Sequence, residues 1–142
     1  MKNYSEEYIS NRLGIVKPVL MLESAEIQDS SIKCSYDIGN SNAFIKCHFI
    51  NNPVMPGTYL LEMLAQSGAF LEMELLESDS VPIIVSITGV RFLREVRENQ
   101  KLISEVEIKD IRNNYYITRG KIRCNGDLVC KAEIVHVVSV GD

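Results

Sequence analysis

With 142 residues, 46% of them apolar and 24% charged, the chain has enough material to close one hydrophobic core without metal or disulfide staples, which sets aside fibrous and disordered classes. A formal net charge of −4 provides no general attraction to nucleic acid or to an anionic membrane surface, so neither is expected as a partner. No apolar run approaches the length that crosses a bilayer.

The opening stretch MKNYSEEYISNRLG is polar and acidic where a secretory signal would be apolar, so a cytoplasmic location is expected. Within it, SEEYISNRL predicts a short amphipathic helix with Ser5 as N-cap, glutamates in the first turn and Gly14 as its end. VLMLESAEIQ and SIKCSYDI, separated by a polar break at Asp29 to Ser31, predict two strands. Residues 38–57 carry glycine, asparagines and prolines without a period, which predicts a long loop of the kind that often holds function.

From Thr58 to about Leu76 the residues are strong helix formers, predicting a helix on the order of 28 Å long. Its first turns are apolar on nearly every side, the pattern of a central helix, and Ala65, Ser67, Gly68 and Ala69 invite close approach of a sheet. Glu72, Glu74 and Glu77 predict that the last turns emerge into solvent. Glu62 then falls in the buried part, where a carboxylate is costly, and apolar surroundings would favour its protonated form.

Four strand candidates follow: VPIIVSITGVRF, KLISEVEIKDI, YYITRGKIRC and LVCKAEIVHVV. Asn113 with Asn114 and Asn125 with Gly126 predict tight turns between them, because these residues tolerate positive φ, and consecutive hairpins predict antiparallel pairing. The order predicts an α+β fold in which an antiparallel sheet wraps one long central helix, as a single domain over residues 1–142 with no repeat or composition shift to divide it.

The cysteines Cys34, Cys47, Cys124 and Cys130 lack zinc spacing and are expected as reduced thiols. Cys47 beside His48 would pair a nucleophile with a base, but sequence neighbours rarely meet in that geometry, so a small buried thiol is expected instead. His136, in the last strand, is expected to be structural.

Chemistry concentrates where the loop meets the long helix. Pro56, Gly57 and Thr58 mark a helix N-terminus, whose free N–H groups and positive dipole end can stabilise developing negative charge. His48, just upstream, is suited to moving a proton, and Glu62 lies one turn into the helix with Gln66 a further turn on, within reach of its carboxyl group. A base, an acid and an oxyanion donor are present in one short stretch.

CHFINNPVMPGTYLLEMLAQ resembles the signature of the 3-hydroxyacyl-acyl carrier protein dehydratases of the FabZ type. His48, Phe49, Pro53, Pro56, Gly57, Glu62, Ala65 and Gln66 stand at matching spacings, with Met55 as in the usual Met-Pro-Gly. VRFLREV, with Arg91 and Phe92, is similar to a second family strand, and the likeness runs from roughly Gly14 to Val138.

The resemblance implies the hotdog fold, with no cofactor and no metal. It implies that His48 removes the α-proton of a 3-hydroxyacyl thioester, that Glu62 protonates the departing hydroxyl, and that the Gly57 N–H polarises the thioester carbonyl. It also implies a homodimer or larger assembly whose sites combine His48 of one protomer with Glu62 of another. Gln66, Phe49 and Met55 would line the substrate path, an apolar tunnel beside the helix. The substrate would arrive on an acidic acyl carrier protein, for which Arg91, Arg94, Arg97 and Lys101 are docking candidates, a solvated basic edge being the plainer alternative.

The signature is altered at Cys47, Ile50 and Glu95, where the family has glycine, proline and proline, and the family's early tyrosine-bearing block is reduced to KPVLMLES. The resemblance implies a place in fatty acid or related synthesis, and these departures imply a specialised relative serving a polyketide, polyene or other secondary acyl pathway, alone or with a heteromeric partner. Two other readings compete: a hotdog thioesterase that hydrolyses the thioester, and a non-catalytic acyl-carrier-binding subunit. The intact pair His48 and Glu62 favours dehydration over the non-catalytic subunit, and the Met-Pro-Gly helix start with the spacing from Glu62 to Ala65 and Gln66 favours it over the thioesterase.

Overall fold

The computed structural model describes residues 1–139, so the end of the expected 1–142 domain, residues 140–142, lies outside them. A short strand β1 (Lys2–Ser5) leads into helix α1 (Glu6–Leu13), strands β2 (Ser24–Gln28) and β3 (Ser31–Asp37), a one-turn helix α2 (Ala43–Lys46) and the long helix α3 (Gly57–Leu76). Strands β4 (Ile83–Phe92), β5 (Lys101–Arg112), β6 (Tyr115–Cys124) and β7 (Asp127–Val137) complete the chain.

Among the described residues all pairings are antiparallel, in one seven-stranded sheet of order β1-β2-β3-β5-β6-β7-β4. The sheet curls around α3, which packs against β3, β4, β5, β6 and β7, while α1 packs against the far part of α3. This is the expected hotdog architecture, and it follows from alternation along β3, β6, the first half of β5 and most of β7, which gives the sheet one apolar face for an apolar helix.

Local signals act as the sequence predicts at several points. Ser5 Oγ accepts the Tyr8 amide at 3.2 Å, Gly14 ends α1 in the left-handed region at φ +70°, and Asn113, Asn125 and Gly126 take positive φ in the turns flanking β6. Four expectations change. β1 is added, pairing with β2; the strand predicted from Val19 begins only at Ser24; α2 interrupts the predicted loop, capped by Asn42. β4 joins β7 rather than its sequence neighbour β5, because the extended segment after α3 crosses to the far edge of the sheet.

The tightest approach of α3 to the sheet falls at a glycine of β6, whereas a β-carbon at Gly68 of the helix, among the small residues expected to allow it, would stand 3.4 Å from His136 and Thr118. At Gly120 a β-carbon would stand 2.9 Å from Leu64 Cδ2 and 3.1 Å from Val106 Cγ2. Gly120→Ala is therefore expected to cost about 1–3 kcal/mol of stability through overpacking, measured by urea unfolding.

As an edge strand, β4 is exposed along most of its length, including Ile83, Ile84, Val85 and Phe92, with Leu93 just beyond. An uncovered apolar edge of this kind needs a partner strand or a covering surface.

Candidate active site

The His48 loop is fastened at both ends to the framework. α2 anchors its start: Asn42 caps the helix, its Nδ2 donates to Tyr36 Oη at 2.7 Å, and Phe44 stacks on Tyr59 of α3 with ring centroids 3.9 Å apart. Past the loop, the Val54 amide donates to the His48 carbonyl at 2.6 Å and the Met55 amide to the Val96 carbonyl at 2.7 Å. Between them Phe49 and Asn52 exchange backbone hydrogen bonds of 3.2 Å, closing a small hairpin just after the histidine.

His48 is half-buried, its ring stacked on Phe49 at 4.1 Å. Its Nδ1 is buried and has no hydrogen-bond partner among the described residues, so the imidazole is not consumed by a structural bond there. Phe49 is itself exposed, and Met55 is buried.

α3 begins at Gly57 directly after Pro56, which supplies no capping side chain, so the first N–H groups of a twenty-residue helix are left without a side-chain partner. The bare Cα of Gly57 lets Phe92 of β4 approach, since a β-carbon there would lie 3.1 Å from the Phe92 ring.

Glu62 is half-buried in a single chain rather than fully buried as expected, because the first turns of α3 reach the rim of the sheet. Its Oε2 accepts from Gln66 Nε2 at 2.9 Å. Gln66, expected to line the substrate path, instead has both ends of its amide engaged by the chain: Oε1 accepts the Met21 amide and Nε2 donates to the Val19 carbonyl. The structure thus joins Glu62 to Gln66 and Gly57 to Phe92, while His48 and Glu62 form no hydrogen bond among the described residues of one chain.

The basic cluster divides. Arg97 braces the site loop, donating to Asn52 Oδ1 at 2.6 Å and to the Pro53 carbonyl while pairing with Glu95, and Arg94 pairs with Asp127. Arg91 and Lys101 are exposed and form no ion pair among the described residues. Cys47 is exposed, contrary to expectation, because it follows α2 on the outer side of the loop. The other three thiols are buried and free; burial pushes Cys34 and Cys130 up to about 11.

Glu72 overturns the reading that the helix emerges into solvent at that point. It is fully buried with Oε2 3.1 Å from His136 Nδ1 of β7, whose ring is equally enclosed. Desolvation raises the Glu72 carboxyl above its ordinary range, opposed by the nearby His136 imidazole, which stands at ion-pair distance without the alignment of a hydrogen bond. Glu74 bonds Arg12 of α1 at 2.9 Å, and only Glu77, the C-cap, reaches solvent as expected.

A groove of about 440 Å³ crosses the outer face of the sheet between Glu26, Lys33, Glu105, Lys121 and Lys131, whose charges do not suit an acyl chain.

Residues 10–133 match the FabA-like domain family. The chain is 33% identical to the 3-hydroxyacyl-[acyl-carrier-protein] dehydratase FabZ of Paracidovorax citrulli, covering 85% of this chain and 83% of that one. It is 29% identical to the FabZ of Petrotoga mobilis, covering 83% and 86%. Among solved structures, the dehydratase heterocomplex ApeI:P of Xenorhabdus doucetiae aligns with a TM-score of 0.76 at 16% identity over 92% of this chain and 90% of that one. A hypothetical thioesterase of Streptococcus pneumoniae aligns with a TM-score of 0.67 at 16% identity over 80% and 82%. Likeness at that identity speaks for the fold alone, whereas the family match spans the loop, α3 and the sheet together. The chain belongs to the FabA-like domain family.

Proposed function

We propose that the protein eliminates water from a 3-hydroxyacyl thioester carried on acyl carrier protein, giving a trans-2-enoyl thioester in fatty acid synthesis or a related polyketide or polyene pathway. The observation that carries this reading is the similarity to curated FabZ dehydratases over most of the chain, with His48, Gly57 and Glu62 in place.

The thioester acidifies the α-carbon. His48 takes the α-proton, charge builds on the carbonyl oxygen beside the Gly57 N–H, and the C3–O bond breaks as Glu62 gives its proton to the departing hydroxyl. Water leaves, Glu62 is left as carboxylate and His48 as imidazolium, and proton exchange restores both. Elimination involves no redox change, so the scheme needs no cofactor or metal. The unpartnered Nδ1 of His48 and the uncapped start of α3 support these roles.

The exposed apolar edge of β4 supports assembly into a dimer or larger oligomer, with a second copy or a related chain, and Glu62 of one protomer then serves His48 of the other. Phe49 and Met55 line the acyl path in this reading, and Arg91 and Lys101 remain the cations free to meet an acidic carrier. Arg94 and Arg97 are already paired. The described residues act as one domain, and the free thiols accord with a reducing cytoplasm.

The test is incubation with 3-hydroxyacyl thioesters on carrier protein and on a small thiol, with enoyl thioester and free acid measured separately. Enoyl product is expected; free acid without it would overturn dehydration in favour of hydrolysis.

A further inference from the structure

Gln66 is 4% exposed, and its amide has no orientational freedom. Oε1 accepts from the Met21 amide at 2.9 Å, and Nε2 donates to the Val19 carbonyl at 2.9 Å. A flipped amide would set N–H against N–H and oxygen against oxygen, so the backbone at residues 19 and 21 dictates which end of Gln66 is the donor. The second hydrogen on Nε2 is directed at Glu62 Oε2, 2.9 Å away.

That backbone is itself held firmly. Leu20, Met21 and Leu22 are fully enclosed in the core, the amides of Val19 and Leu20 both donate to the Val16 carbonyl at 3.0 Å, and Lys17 ties the segment to Glu6 and Glu23.

We propose that Gln66 is a positioning residue that decides which oxygen of Glu62 carries the transferable proton. Because Nε2 can only donate, Oε2 must accept, a role that the carbonyl oxygen of a carboxylic acid fills better than its hydroxyl oxygen, so the acidic proton is favoured on Oε1. The inference rests on the reading of Glu62 as the acid. Without Gln66 the proton is shared between two oxygens on a carboxyl group free to rotate, and only a fraction of the population points it at the leaving hydroxyl. Only main-chain atoms of Val19 and Met21 hold Gln66, so the side chains of VLML can differ from those of relatives without releasing the acid.

Gln66→Met keeps the side-chain length and removes the amide. In this variant kcat for carrier-bound substrate is expected to fall by about 10- to 100-fold while KM stays within about threefold, since the lost interaction acts on proton transfer and not on binding. Gln66→Glu donates a hydrogen bond only when its carboxyl is protonated, so the ratio of its kcat to that of Gln66→Met should rise as pH falls. Wild-type kcat in Gln66→Met, a loss confined to KM, or a pH-independent ratio would each overturn the proposal. Should Gln66→Met fail to fold, the ratio of Gln66→Glu to wild type across pH carries the same test.

A readout independent of turnover comes from carbon-13 NMR of protein labelled at glutamate carboxyl carbons, with the Glu62 resonance identified by its loss in Glu62→Gln. It should move in Gln66→Met and in Gln66→Glu, and an unmoved resonance would overturn the contact. Absence of turnover in wild type would count against dehydration itself, with the resonance still deciding the contact.

Discussion

His48→Ala and Glu62→Ala are each expected to lower kcat/KM for a carrier-bound 3-hydroxyacyl thioester by about 10³-fold or more while leaving the protein folded. Both side chains are only half-buried in one chain, and neither anchors the core: His48 stacks on an exposed Phe49, and Glu62 has its hydrogen bond to Gln66. Removal should therefore affect chemistry far more than stability, which thermal unfolding of the variants would check. Mixing the two inactive variants offers a sharper measurement. If the base and acid come from different protomers, about half of the dimers formed at equilibrium are mixed, each with one intact site of two, and about a quarter of wild-type activity returns. No recovery after full subunit exchange would mean that each site draws both residues from one chain. Full activity in either single variant would remove that residue from the mechanism.

The second large effect is in the core. His136→Ala is expected to destabilise the fold by about 3–5 kcal/mol, because it leaves the Glu72 carboxyl enclosed without its partner at 3.1 Å. Glu72→Gln should behave differently, since a neutral amide can donate to His136 Nδ1 without a charge being buried. Burial raises the carboxyl of Glu72 in the folded chain, so the native state holds its proton to higher pH than the unfolded state does. The stabilising contribution of that proton is complete below the ordinary carboxylate range and is lost as pH rises through the folded value. Urea unfolding across pH should show wild type weakening relative to Glu72→Gln on the alkaline side of that range. Adding Glu72→Gln to His136→Ala should recover part of the loss. A His136→Ala cost under about 1 kcal/mol, or parallel pH profiles for wild type and Glu72→Gln, would show that the pair carries no such strain.

These two sites differ in how far the sequence disclosed them. The proposed acid, base and helix start lie within fifteen residues of one another along the chain, from His48 to Glu62, so local spacing and resemblance are enough to nominate them. Glu72 was invisible for the opposite reason. Followed by Glu74 and Glu77, it had the look of a helix leaving the core, and only the pairing of α3 with β7 supplies the imidazole that makes its burial tolerable. The position of β4 was hidden in the same way, because neighbours in sequence are the default guess for neighbours in a sheet and the segment after α3 runs instead to the edge beside β7. β1 has only four residues, too few to show alternation, and is a strand because β2 offers it an edge. The spacing of Gln66 and Glu62 shows that the two can meet, but the grip of Gln66 on Val19 and Met21 spans more than forty residues of chain and leaves no local trace.

The β4 edge has a further consequence, for the life of the chain before it is assembled. Its outer row of backbone donors and acceptors, set among Ile83, Ile84 and Val85, is a template that any extended segment can join. In the proposed assembly, a newly released protomer faces a race between its partner strand and indiscriminate pairing, and the outcome is governed by concentration. Slow, dilute synthesis or co-production with the matching partner favours productive assembly, whereas abrupt overproduction of lone chains favours inclusion bodies.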